Sequence, residues 1–458
     1  MVGTVMATAE KKSRIAVTAR RCCRNLLEIS RSPQGRNANW LFMDHFLRLA
    51  GGFIVGALVA RHLGPSGFGT LIIAVAFSSL FTAAVGLGIE NVVIRELSSK
   101  SHPEPRMLLA TVFRLKLGVS VLALLAAGGL AALINLEPVT AKAVWILVGA
   151  SIFQVCDPLD YWFQSNTNSK HVVVTRMIGF ISSSVLKIVL VMTGGDIVDF
   201  ALASAVEPAI TALFMFGVFR RQHGPIDYSG FDRELAWSLL RQGAPLLLAF
   251  FAYISYSRLD QLLIAAILNE TQAGLYAAAL RINEIPVTLV SIIAASYFPK
   301  LAKLYATDRD GFFRLYSIIS RSLTFAGLLF AAGVFVSGAF FIELVFGQDY
   351  RKAGEVLAIQ SIGALFMMNA GLRSSFMVLA GQQNLMMKIT LASAGLNVLL
   401  VVSMTSWLGL SGAAIAYALT QFVSLFLSGT CFSPLRPILA IQADAFTFGL
   451  AGIGRRLS

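Results

Sequence analysis

Apolar residues run in blocks of about twenty from Trp40 to Phe432, separated by short polar connections. A helix needs about twenty residues to cross the hydrocarbon layer of a bilayer. Barrel strands would instead alternate in polarity over about ten residues. The blocks therefore predict helical spans, at 40–60, 70–90, 108–134, 141–162, 172–192, 197–219, 243–266, 274–297, 317–341, 353–376, 387–408 and 411–432. These divide the chain into a tail (1–39), six spans (40–219), a linker (220–242), six more spans (243–432) and a second tail (433–458). In the linker, "FDRELAWSLLRQ" has the polarity of an interfacial helix beginning at Asp232.

Composition agrees with a membrane protein. Hydrophobic residues make up 56% of the chain and charged residues only 13%, with a mean hydropathy of +0.73. The net charge of +13 would suggest nucleic acid in a soluble protein. Here it has a simpler origin, because Lys and Arg gather in cytoplasmic loops. The first tail and the even-numbered loops hold most of the basic residues outside the spans, whereas the odd-numbered loops hold only Arg61, Arg351 and Lys352, with Lys142 at the outer edge of the fourth span. This places both termini in the cytoplasm, and the basic first tail is expected to touch anionic lipid. "MVGTVMATAEKKSRIAVTARRCCRN" has no signal-peptide core. Cys22, Cys23, Cys156 and Cys431 have no metal spacing, and the five histidines are scattered, so no metal site is expected.

A weak internal repeat joins the halves. "HLGPSGFGTLIIAVAF" and "ILNETQAGLYAAALRI" follow the first and seventh spans at an offset of 205, which aligns Gly69 with Gly274. Six spans per half give the two halves the same orientation. Pro158, Pro208 and Pro286 are expected to bend the fourth, sixth and eighth spans. Gly51, Gly52 and Gly56 give the first span a small-residue face for close packing or bending.

Ionisable residues inside spans are costly and need partners or a wet cavity. Arg114, Lys116, Arg321 and Arg373 lie near span ends, where long side chains reach water. Arg48, Lys187, Arg258 and Arg281 lie deeper. Asp44 and Arg48 are spaced to pair along one helix, as are Arg281 and Glu284. Arg258 and Asp260 are two residues apart, about 200° around a helix, and cannot pair with each other. A cavity rich in Arg and Lys attracts anions, and guanidinium grips phosphate oxygens as a fork. The candidate anion-binding residues are Arg48, Arg258, Arg281, Lys187 and Arg373. The candidate carboxylates for a coupling ion are Asp44, Asp260, Glu284, Asp157 and Glu207.

Several stretches resemble one family: "ARHLGPSGFGTLIIAVAF" with "GLGIENVVIREL"; "RLDQLLIAAILNETQAGLYAAALRI", through Asp260, Gly274 and Tyr276; "LVFGQDYRKAGEVL", through Gly347, Tyr350 and Ala353; and "GLNVLLVVSMTSWLGLSGAAIAYALTQF", through Asn397, Gly409, Gly412, Ala413 and Ala414. Over residues 40–432 the chain resembles the polysaccharide transporters, or O-antigen flippases, of the multidrug/oligosaccharidyl-lipid/polysaccharide exporter superfamily. The resemblance implies an all-α integral membrane protein of about twelve helices in two pseudo-symmetric six-helix bundles around a central cavity. It implies transfer of a polyprenyl-pyrophosphate-linked oligosaccharide across a bacterial inner membrane for cell-surface polysaccharide synthesis. H+ or Na+ is the expected coupling ion, with no other cofactor. The expected partners are that glycolipid, membrane lipids, and a polysaccharide polymerase with its chain-length machinery. Two alternatives stand beside this. A cation-coupled drug antiporter would need an acidic lumen, and a membrane enzyme would need catalytic groups on large loops, which the short loops do not offer.

Overall fold

The computed structural model describes residues 33–98, 105–166, 169–224 and 230–446. Most of the basic first tail, part of the linker and the end of the second tail lie outside these residues. Every extended element among them is helical: α1 (Pro33–Val85), α2 (Glu90–Ser98), α3 (Pro105–Leu133), α4 (Pro138–Gly149), α5 (Asp157–Ser165), α6 (Ser169–Thr193), α7 (Ile197–His223), α8 (Arg233–Ile267), α9 (Glu270–Thr307), α10 (Arg309–Phe346), α11 (Ala353–Leu379), α12 (Gln383–Cys431) and α13 (Arg436–Phe446). Among the described residues, nine helices are long and apolar enough to cross a membrane.

Two helices are too long for one crossing. α1 has 53 residues and α12 has 49, and a straight helix of that length would reach about 75–80 Å. Each breaks at a glycine with positive φ, Gly64 (φ 65°) in α1 and Gly409 (φ 62°) in α12. Glycine reaches this region without a Cβ clash, and Pro65 starts the second arm of α1 with no N–H to lose. The twelve crossings expected from hydropathy require counting both arms of α1 and α12, and counting α8.

Two of the three prolines expected to bend spans lie inside continuous helices, and the third lies at a helix start. α7 and α9 run through Pro208 and Pro286 as single helices. Pro158 instead follows a 3-10 segment, Ala150–Cys156, and opens α5. The fourth span thus changes helix type rather than bending at an α-helical proline. Of the three small residues on α1, only Gly51 meets a close neighbour, the Phe180 ring.

Asp232 caps α8, accepting hydrogen bonds from the Glu234 and Leu235 amides at 2.9 and 3.1 Å. The interfacial stretch and the seventh span then form one continuous helix through Pro245. Past the last span, α13 folds back onto the bundle. Gln442 is buried and donates to Tyr316 Oη at 3.3 Å and to the Asn369 carbonyl at 3.0 Å.

The two chain halves meet mainly at the end of the molecule that carries the Gly64 bend. There Ala57, Ala60, Phe68 and Ile72 share one buried apolar cluster with Ile264, Tyr276, Phe346 and Tyr350. Tyr350 donates to the Ala60 carbonyl across this junction at 2.8 Å. At the opposite end, the apolar cluster that includes Val290, Tyr316, Leu372 and Ile438 contains only residues of the second half. The halves touch there through the start of α8, where Gly243 packs on Gly88 and Gln242 accepts from Arg95 at 2.7 Å.

Candidate functional site between the two halves

In the first half, the deep cations other than Lys187 are engaged in ion pairs. Arg48 Nε donates to Asp44 Oδ1 at 3.0 Å, one turn back along α1. Its other guanidinium nitrogens donate to Glu207 of α7 and, at 3.0 Å, to the Arg176 carbonyl of α6. The Arg176 guanidinium donates to Asp160 of α5 at 2.9 and 3.2 Å. Lys116, expected to reach toward water, is instead fully buried and donates to Asp157 at 2.6 Å. Asp44, Arg48, Asp157, Asp160, Arg176 and Glu207 line a cavity of about 400 Å³, with Gln154 and Thr211 on its wall and Lys116 outside its lining. Four carboxylates face two guanidinium groups in this lining, and Lys116 offsets one more through Asp157; pairing is how a low-dielectric site tolerates so many ions.

The other deep cations differ. Lys187 on α6 is half-buried, within electrostatic reach of Glu207 on its own half and of Arg281 on the other. Arg281 in turn lies within reach of Glu284 and Arg258. Among the described residues, none of Lys187, Arg258 and Arg281 forms a salt bridge. Arg281 is thus within electrostatic reach of one candidate cation on each half, Arg258 and Lys187. Arg48 is held by its carboxylates. Arg373 is buried elsewhere, donating to the Leu425 carbonyl at 3.2 Å, to the Ser424 carbonyl and to Ser428 Oγ of α12. That guanidinium satisfies α12 backbone and does not face the other cations.

Arg258 and Asp260 do not pair. Asp260 is buried and accepts from Tyr276 Oη of α9 at 3.1 Å. Its second oxygen has no hydrogen-bond partner among the described residues, and neither have Asn283 Oδ1 and Gln360 Oε1. Asn283 is tied to the backbone of Gln360 at 3.3 Å. Asp260, Asn283 and Glu284 line a cavity of about 250 Å³ within the second half. Buried oxygens without donors are rare and call for water, a proton or a cation.

Arg176, Asn283 and Gln360 were not singled out by the sequence, Lys116 was expected to reach water, and Tyr276 was marked only by the family resemblance. Their partners lie on other helices, so helical periodicity carries no trace of them. Only the rarity of ionisable residues within spans marks Arg176 and Lys116 as worth following.

Residues 58–355 match the model of a family described as "Polysaccharide biosynthesis protein". The chain is 26% identical over 284 residues to a Haloferax volcanii protein named probable flippase AglR, covering 60% of this chain and 58% of that one. Over 137 residues it is 27% identical to the capsular polysaccharide biosynthesis protein CapF of Staphylococcus aureus, covering 29% and 34%. The matched stretches span about a third to three-fifths of these curated relatives. Among solved structures, the lipid II flippase MurJ in an inward closed conformation superposes with a TM-score of 0.68 at 15% identity, over 88% of this chain and 90% of that one. An inward-facing multidrug resistance MATE transporter of the MOP superfamily gives 0.68 at 15% identity, over 85% and 95%. The fold is thus that of the MOP transporters, and the chain belongs to the polysaccharide biosynthesis protein family, the membrane family of polysaccharide transporters and flippases.

Proposed function

We propose that this protein is a flippase. It carries a polyprenyl-pyrophosphate-linked oligosaccharide across the bacterial inner membrane for O-antigen, capsule or exopolysaccharide synthesis, by ion-coupled alternating access. The observation that supports this reading is Arg281 within electrostatic reach of Arg258 on its own half and of Lys187 on the other, none of the three in a salt bridge among the described residues. Cations left unpaired between two packed halves suit a diphosphate, and repel the cationic drugs of an antiporter. The names of the similar proteins point the same way.

The charge pattern of the loops puts the Gly64 end outside. With the halves packed at that end, the cleft faces inward. The pyrophosphate binds at the three cations, the lipid tail stays in the bilayer, and rocking of the halves exposes the glycan outside. The unpartnered oxygens around Asp260 support a coupling site for H+ or Na+ there, with Glu284 beside it. Asp44, Asp157 and Glu207, in standing ion pairs, fit that role less well. A polymerase with its chain-length machinery would receive the flipped unit.

The test is Arg258→Ala in the native host. Protein level in the membrane should stay near normal while surface polysaccharide is lost and the lipid-linked repeat unit accumulates on the cytoplasmic side. Arg258→Lys should keep part of the activity. Normal export by both variants would rule out the phosphate clamp.

A further inference from the structure

The internal repeat and the packing between the halves coincide at one point. A Cβ on Gly69 would overlap the Glu270 carbonyl oxygen and lie 3.1 Å from the Gly274 nitrogen. A Cβ on Gly274 would overlap the Pro65 carbonyl oxygen and lie 3.0 Å from the Gly69 nitrogen. The repeat offset of 205 maps Gly69 onto Gly274 and Pro65 onto Glu270. Each contact is therefore the image of the other. The second arm of α1 and the start of α9 cross backbone to backbone about the axis that relates the halves, with one glycine from each.

The opposite end has a close glycine contact of another kind. A Cβ on Gly243 would lie 2.6 Å from the Leu87 carbonyl oxygen, and one on Gly88 would lie 2.6 Å from the Gly243 carbonyl oxygen. Adding 205 to Gly88 gives Ile293, and subtracting it from Gly243 gives Ala38. Neither image is a glycine, and the contact sits near the start of α8, where the linker enters. A junction beside a covalent connection holds its distance, whereas a symmetric junction of two bare backbones has no side chain to unlock before it parts.

We propose that the reciprocal Gly69–Gly274 contact is the outer gate, a latch of two glycines that closes by backbone contact, and that Gly88–Gly243 is the pivot about which it opens. The latch sits beside the apolar cluster of Ala57, Ala60 and Ile264 and the Tyr350–Ala60 hydrogen bond, so its parting exposes that cluster. A methyl group on either glycine props the same junction open. Because the contact is reciprocal, either substitution gives the same shift. The device rests on alternating access, but not on the identity of the cargo.

The experiment labels Ala57→Cys with a membrane-impermeant maleimide from the outer side, in full-length protein with its four native cysteines replaced by serine. Gly69→Ala and Gly274→Ala are each expected to raise the labelling rate about tenfold, a modest shift between two states. Gly52→Ala, which points a methyl into open space, is expected to leave it unchanged. No substrate is needed, so a wrong assignment of cargo would leave this result standing. Unchanged labelling in both folded variants, or a rise in only one, overturns the reciprocal latch. A second measurement keeps both glycines: spin labels at Ser66→Cys and Thr271→Cys should report a short and a long distance. A single short distance in detergent and in vesicles marks a permanent packing contact, and the gate fails.

Discussion

The two halves face the same problem, charge inside an apolar bundle, and handle it in opposite ways. The first half, Lys187 apart, pairs its charges locally: Arg48 with Asp44 and Glu207, Arg176 with Asp160, Lys116 with Asp157. The second half leaves Arg258 and Arg281 without a salt bridge among its described residues, and leaves an oxygen of Asp260 without a donor. A paired charge fixes structure, because removing one member strands the other. An unpaired charge is a poor structural element and a good ligand. Position within a span therefore says little about role, and pairing says more.

The largest break in this comparison should come from Arg48→Ala. It strands two carboxylates and frees the Arg176 carbonyl; the pairs are part-buried, so the cost should fall below the roughly 3–5 kcal/mol of a fully buried pair. The expected outcome is a strongly reduced amount of folded protein in the membrane, with a lower melting temperature. The double variant Arg48→Ala with Glu207→Gln should recover part of the loss, because one stranded charge is gone. If Arg48→Ala folds normally and fails only in transport, then Arg48 belongs with Arg258 and Arg281 and the contrast between the halves collapses.

How much of this was legible beforehand follows from where the information lies. Span positions came from composition along the chain. The family came from short stretches whose glycines and Tyr350 sit at contacts and turns, as Gly274 and Gly347 do here. The Asp44–Arg48 pair was readable because four residues is one turn of a helix. The separation of Arg258 from Asp260 was readable for the same reason. Arg176–Asp160 was not, since its members lie on different helices. Nor did hydropathy show that the linker helix and the seventh span form a single rod, because Pro245 sits where a break was equally plausible. The bends were sought at prolines, yet the dihedral breaks are at Gly64 and Gly409. A helix accommodates a proline by giving up one hydrogen bond, whereas the sharp breaks inside α1 and α12 use the positive φ that glycine reaches freely.

Arg373 sharpens the comparison, because it is a cation of the second half that behaves like those of the first. Its guanidinium ties α11 to α12 through carbonyls and a serine hydroxyl. Arg373→Lys keeps the charge but replaces a planar fork with one ammonium, and hydrogen bonds to charged groups are each worth about 1.5–3 kcal/mol. A loss of roughly that size should appear as a lower melting temperature of the purified protein, with transport per folded molecule unchanged. Equal melting with reduced transport would instead move Arg373 to the substrate path.

The smallest effect on stability, and the most informative about coupling, is expected from Asp260→Asn. The amide oxygen can still accept from Tyr276, so the helix contact survives and the change should cost about 1 kcal/mol or less, the net worth of one ordinary hydrogen bond. What disappears is the carboxylate among oxygens that lack donors. If that group carries the coupling ion, transport by Asp260→Asn in vesicles should no longer respond to an imposed H+ or Na+ gradient, while binding of the anionic head at Arg258 and Arg281 persists. If the variant responds to the gradient as the native protein does, Asp260 is a brace between α8 and α9. The coupling group must then be sought at Glu284 or among the paired carboxylates of the first half, which would give that closed network a mechanistic as well as a structural role.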